Sequence, residues 1–263
     1  MSITINNKIN TSKRNHLKKA IWRQRYLYLL LIPGLAYVII FHYIPMAGLV
    51  IAFQDYKVFL GISGSKFVGF ANFERLFQTS KFLSVLANTF IISGYKILFG
   101  FPVPIILALM INEVRQKGFQ RTVQTVVYLP HFLSWVIMSG IVMNLLAPGD
   151  GVINLIIKAV GGKPVFFLAE SSYFRTILVV TDIWKEMGWN AIIYLAALAG
   201  VPQELHEAAV IDGSNRLQRI FYISLPYILP TITVMFLLRL GGVLNAGFDQ
   251  VFSLYNSAVY DVA

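Results

Sequence analysis

The chain has 263 residues, of which 57% are hydrophobic, 14% aromatic and only 13% charged. That balance excludes a soluble globular domain of this length and points to an all-α, polytopic integral membrane helix bundle, with no stretch between apolar runs long enough to build a separate soluble domain. Cysteine is absent, which excludes a disulfide framework, a thiolate metal site and a cysteine nucleophile, and the net charge of +10 sits mostly at the N-terminus, where it speaks of topology rather than of nucleic acid.

Residues 1–25 carry Lys8, Lys13, Arg14, Lys18, Lys19, Arg23 and Arg25, and the first acid is Asp55. This basic segment is expected to stay in the cytoplasm, with 26–263 forming the membrane domain. The apolar run after Arg25 is too long for a cleaved signal peptide, so residues 26–53 read as a first span, kinked at Pro33 and Pro45. Trp22, Tyr26, Tyr28, Phe41 and Tyr43 lie near its ends, as interfacial anchors do. Residues 54–81 are mixed and glycine-containing, an external segment with a short helix around 73–77. A second span is expected over 83–111, holding Pro102 and Pro104. It contains Lys96, expected near the outer end with its amine snorkelling outward. The loop at 112–124 is net basic, in keeping with a cytoplasmic position. A third span, 122–146, contains Pro130. Pro148-Gly149-Asp150-Gly151 marks a turn, followed by a short amphipathic stretch at 152–160. A fourth span, 174–198, carries Asp182, Lys185 and Glu186 and cannot face lipid all round. A fifth, 227–248, holds Pro230, Arg239 and Asn245.

Between the fourth and fifth spans lies the polar stretch 202–226. Pro202 suits the first turn of a helix. Glu204 and Glu207 favour the positive end of its dipole, and Ala208 and Ala209 are strong helix formers. Gly213 follows Asp212 where a helix stop wants positive φ. A second helical stretch is expected from Ser214 to Leu225, with Pro226 forbidding its continuation.

These residues carry a resemblance. Glu207-Ala208-Ala209, three residues, Gly213, nine residues, Ile223, one residue and Leu225-Pro226 resemble the cytoplasmic signature of ABC importer permeases, and the span order extends the likeness over about residues 25–260. The likeness is to the binding-protein-dependent, maltose-type oligosaccharide permeases. It implies that Glu204, Glu207, Ala208, Ala209, Asp212, Gly213, Ile223, Leu225 and Pro226 form the element that docks on an ATPase subunit. It also implies a second homologous permease, a dimer of ATPase subunits that bind ATP and magnesium, an extracytoplasmic solute-binding protein, and contact with membrane lipid but not with nucleic acid. The family pattern has a sixth span after Ala263, so the sequence is expected to be truncated there.

No enzyme constellation is visible, no cofactor is expected in this chain, and there is no Gly-x-x-x-x-Gly-Lys-Ser/Thr phosphate loop. The histidines His16, His42, His131 and His206 show no metal spacing. A polar face runs along the fourth span through Asp182, Glu186, Asn190 and Tyr194, each four residues apart. Asn190, Tyr194 and Asn245 are the expected substrate-path residues, with Trp184 and Asn144 as further candidates, because a sugar takes hydrogen bonds at its hydroxyls and aromatic cover on its ring. The charged residues read instead as an ion-pair network, Glu186 with Arg239 or Asp182 with Lys185. A permease for another solute, a secondary transporter using Asp182 and Glu186 as its ion site, and a scaffold without a pathway stay open at this level.

Overall fold

The computed structural model describes residues 22–262, so the basic segment lies, up to residue 21, outside the described residues. The chain packs as two units, one through Thr79 and one from Ser80.

The first unit is built on α1, Arg25–Phe53. No residue of α1 is buried within its own unit. Its long apolar surface suits a lipid surround. At about 1.5 Å per residue it is long enough to cross a hydrocarbon layer of about 30 Å with some tilt. It ends in a two-residue antiparallel ribbon, β1 (Gln54–Asp55) with β2 (Lys66–Phe67). Asn72, on α2 (Ala71–Gln78), donates from its amide to the carbonyls of Ala52 and Gln54 at 3.0 and 2.9 Å, fastening the ribbon. Rings of Phe53, Phe67, Phe70 and Phe73 close over it.

The second unit is organised around one helix. In order it contains α3 (Ser80–Asn112), α4 (Lys117–Phe132), α5 (Trp135–Leu146), α6 (Val152–Ala159), α7 (Ser171–Leu198), α8 (Gln203–Ile211), α9 (Arg216–Gly241) and α10 (Phe248–Leu254). Helix α7 is the axis, packing against α3, α4 and α9. Its first half buries Phe174, Ile177 and Leu178 with Ile92, Val142, Leu254 and Val259. Its second half buries Ala191, Tyr194 and Leu198 with Ala108 and Ile228. Between these two apolar cores lie buried Thr181, Asp182 and Lys185.

Three expectations are corrected. The third span is not one helix: α4 and α5 meet at 106°. Pro130 cannot donate a helical hydrogen bond, Leu133 is extended, and Ser134 caps a fresh helix by accepting from the Ile137 N–H at 3.4 Å. The fifth span ends at Gly241, so Asn245 lies in the connection to α10 and not on a span. Pro226 does not stop its helix. The chain widens into a π turn over Ile220–Ser224, where the Leu225 N–H reaches back five residues to the Ile220 carbonyl, and the helix continues to Gly241. Two more π turns, Ile39–Tyr43 and Lys96–Gly100, likewise end two residues before a proline, Pro45 and Pro102. A wider turn re-pairs backbone groups that the proline ring would orphan. With these corrections three helices among the described residues are long and apolar enough to cross a membrane, or four if the bent pair counts as one.

Gly188 fixes how closely α7 and α4 cross. A Cβ built there would lie 2.0 Å from the Val127 carbonyl oxygen and 2.9 Å from the Tyr128 nitrogen. Both are backbone atoms that cannot swing aside. Gly188→Ala is therefore expected to push the helices apart and cost about 1–3 kcal/mol. The thermal stability of the detergent-solubilised protein checks this, against the open position Gly140→Ala, which should change little.

Candidate functional site

Two places combine order, polarity and access: the polar layer across the middle of α7, and the hairpin that follows it.

In the layer, Asp182 faces two cations. Its Oδ1 lies 3.0 Å from Lys96 Nζ on α3, and its Oδ2 accepts from Arg239 on α9 at 3.2 Å. The Lys96 ammonium also donates to Gln250 Oε1 at 2.5 Å and to the Ala246 carbonyl at 2.9 Å, so its three donors meet three acceptors. Gln250 is fully buried, and its amide donates to the Leu178 carbonyl and Thr181 Oγ1 at 2.8 and 2.7 Å. The layer thus ties α3, α7, α9 and α10 at one level. Lys96 does not snorkel, as the sequence suggested. It is buried because full pairing there replaces the solvation that snorkelling would have sought.

A second cluster sits one turn along. Glu186 Oε2 lies 2.8 Å from His131 Nδ1 and its Oε1 lies 3.5 Å from Lys185 Nζ, which also donates to the His131 carbonyl at 2.7 Å. The His131 ring stacks on Trp189 with centroids 4.5 Å apart. Both expected ion pairs are thereby replaced: Asp182 takes Lys96 and Arg239, and Glu186 takes His131 and Lys185. For Asp182 the cations on α3 and α9 lie closer than Lys185 on its own helix, whereas Glu186 does meet its chain neighbour Lys185.

Asp182, Glu186, Asn190 and Tyr194 do share one crevice, with Phe101 and Pro104 of α3 and Met235 and Arg239 of α9. At about 60 Å³ it holds water but not a sugar ring. Tyr194 is buried in the core formed by the second half of α7, while Asn190 is half-buried. Asn245 lines a neighbouring hollow of about 230 Å³ with Ser93, Lys96 and Arg239. Trp184 points to a different, apolar cleft with Val142 and Tyr173, and Asn144 is exposed on α5. The structure therefore gathers Asn190, Tyr194 and Asn245 around Arg239 and leaves Trp184 and Asn144 apart. Gln250 and Trp189 escaped the sequence reading, since a lone glutamine or tryptophan in an apolar run carries no spacing signal.

The hairpin is held by its own caps. Helix α8 buries no residue, so local bonds must hold it. Glu207 accepts from Gln203 Nε2 at 2.8 Å. Asp212 caps the helix, Gly213 follows at φ +80°, and the N–H groups of Gly213 and Ser214 return to the carbonyls of Val210 and Ala209 at 3.0 and 2.9 Å. This double return is the Schellman stop. Helix α9 then starts at Arg216 rather than Ser214, because Asn215 and Gln218 form a reciprocal capping box at 2.7 and 2.9 Å. Tyr227 clamps the base, its hydroxyl donating to the Gly200 carbonyl at 2.8 Å. Glu204, Glu207 and Ala208 are exposed and Ala209 is half-buried; Ile223 and Leu225 are half-buried on α9, where Pro226 is exposed. Apolar Val210, Ile211 and Leu217 stand exposed around the turn, Ile211 at 86%.

Residues 100–248 match the family described as the binding-protein-dependent transport system inner membrane component. The chain belongs to this family. It is a multi-pass inner-membrane permease component, a transport subunit rather than an enzyme. The permease is 46% identical to protein LplB of Bacillus subtilis (strain 168) over 244 residues, covering 93% of this chain and 77% of that one. It is 44% identical to the polygalacturonan/rhamnogalacturonan transport system permease protein YteP of the same organism, covering 95% of this chain and 78% of that protein. Its fold matches a chain in the crystal structure of a bacterial ABC transporter involved in the import of the acidic polysaccharide alginate, with a TM-score of 0.85, 43% identity, and coverage of 94% and 83%.

The permease's polar layer makes an asymmetric prediction. Asp182→Asn strands two cations and should cost about 3–5 kcal/mol, whereas Lys96→Met leaves Asp182 paired with Arg239 and should cost less. Thermal unfolding of the two purified variants checks the order; a more damaging Lys96→Met would mean Asp182 is not the hub.

Proposed function

We propose that this permease forms half of the translocation path for a carbohydrate in an ATP-driven ABC importer. The observation that carries this is the hairpin: a helix with no core of its own, held by a Schellman stop and a capping box, displaying Glu207, Ala208 and a fringe of exposed apolar side chains. Such a surface fits the groove of a separate ATPase, which would bind ATP and magnesium. The family's dependence on a binding protein, and relatives named for polygalacturonan and alginate transport, support a saccharide delivered by an extracytoplasmic solute-binding protein. A second homologous permease would complete the path, because the polar crevice here is too small to hold a sugar alone. Alternating access would come from rigid rocking of the two halves as the ATPases close and open.

In this reading the domain runs from residue 26 with the coupling stretch at 202–226, and α7 and the bent α4–α5 pair each count as a span, making five. The N-terminus and the hairpin are cytoplasmic, and the ribbon of the first unit is external. Ser63 and Glu204 are exposed in a chain without cysteine. In intact cells an impermeant thiol reagent should label Ser63→Cys and not Glu204→Cys; labelling of Glu204→Cys alone would invert the topology.

Gly213 tests the coupling. A β-branched residue at φ +80° is strained by roughly 1–2 kcal/mol, and that cost falls on the turn rather than on a core. Gly213→Val and Ala208→Trp should insert normally yet lose ATPase retention or uncouple hydrolysis from uptake by about tenfold or more. Full coupled transport in both variants would remove the docking role from the hairpin.

A further inference from the structure

We propose that the cargo is an anionic, carboxylate-bearing saccharide and that Arg239 is the residue that reads its charge; this rests on the carbohydrate reading above. In the polar layer three cations, Lys96, Lys185 and Arg239, face two carboxylates, Asp182 and Glu186. One positive charge is left without a counter-ion among these groups. The geometry locates it. The Lys96 and Lys185 side chains are 5% and 7% exposed, the first fully paired and the second held by Glu186, the His131 carbonyl and the Trp135 ring. The Arg239 side chain is 40% exposed and makes one bond, at 3.2 Å, to a carboxylate that Lys96 already shares.

A guanidinium carries five N–H donors in a planar fork that matches a carboxylate with two parallel bonds. Arg239 borders both hollows, the one with Asn190 and the one with Asn245. Those two amides lie where hydroxyls beside the carboxylate could find donors and acceptors. A cation at membrane depth that served structure alone would be buried like the two lysines, since its exposure gains no packing and leaves donors unused. Polygalacturonan and alginate, named for two relatives, are polymers of uronic acids, which is the chemistry such a fork selects.

The test uses the full permease assembled with its partner subunits in lipid nanodiscs, and measures direct binding by calorimetry without the binding protein. The probes are trigalacturonate, its fully methyl-esterified twin and sn-glycerol 3-phosphate. The wild type is expected to bind the acid about tenfold or more tightly than the ester, with the preference shrinking as salt rises. Arg239→Gln should abolish the preference by lowering acid binding to the level of the ester, and Arg239→Lys should keep part of it; Lys96 and Asp182 remain paired in both, and a single cooperative thermal transition, at whatever midpoint, shows that each is folded. Equal binding of acid and ester overturns the charge assignment and leaves the carbohydrate reading standing. A preference that survives Arg239→Gln overturns the role of Arg239. Tighter binding of sn-glycerol 3-phosphate than of trigalacturonate points to a phosphate cargo and overturns the proposal. Binding of neither saccharide overturns this proposal and the carbohydrate reading together.

Discussion

One carboxylate, that of Asp182, holds two cations on two other helices, and the second unit depends on that arrangement. The helices carrying Lys96 and Arg239 meet α7 at this level, and Gln250 brings α10 to the same point by accepting from Lys96 and donating to Thr181. The apolar contacts above and below are ordinary core packing and could slide along a lipid-embedded helix at small cost, because lipid tails solvate leucine as well as protein does. Ionic and amide bonds cannot slide. In a medium that offers no water, every member must keep its partner or pay the cost of a stranded polar group. The layer therefore sets the register of the helices, and the two hydrophobic clusters fill in around it.

The same helix connects this layer to the hairpin. Helix α7 runs unbroken from the layer to Leu198, and the Tyr227 hydroxyl on Gly200 joins the turn just beyond it to the middle of α9. At Gly188 its backbone lies against the backbone of α4 with no room for a methyl group. The hairpin is ordered by its own caps and clamped at its base by Tyr227, and the four residues between α7 and α8 join it to the helix that carries the layer. The surplus charge on Arg239 sits at the far end of that connection, beside the crevice.

Three π turns, each ending two residues before a proline, show how the chain keeps long helices through residues that would otherwise end them. At Pro45, Pro102 and Pro226 the widened preceding turn gives the freed carbonyl a new partner, whereas Pro33 and Pro230 sit within α-helix. One of these turns begins at Lys96 itself, so the geometry of the ion layer and the local winding of α3 are set together.

The apolar composition and the runs of hydrophobic residues were enough to read an all-α membrane protein, and local spacing was enough for a short helix from Pro202 to about Ile211 with its stop at Gly213 and for short helices around 73–77 and 152–160, because these follow from solvent preference and from bonds between residues near in the chain; the permease was read from the resemblance carried by the signature at 207–226. The polar face of α7 was legible for the same reason, since a four-residue spacing is a local property. What the sequence alone misjudged were the matters decided by distant residues. The partners of Asp182 and Glu186, the burial of Lys96, the place of Gln250, the 106° bend between α4 and α5 and the passage of α9 through Pro226 all depend on groups that come together only in the folded bundle. Composition decides that a charge in an apolar helix must find a counter-charge; only the tertiary structure decides which one, because in a low-dielectric interior the pairing goes to the nearest charge in space, which for Asp182 lies on other helices and for Glu186 includes the adjacent Lys185.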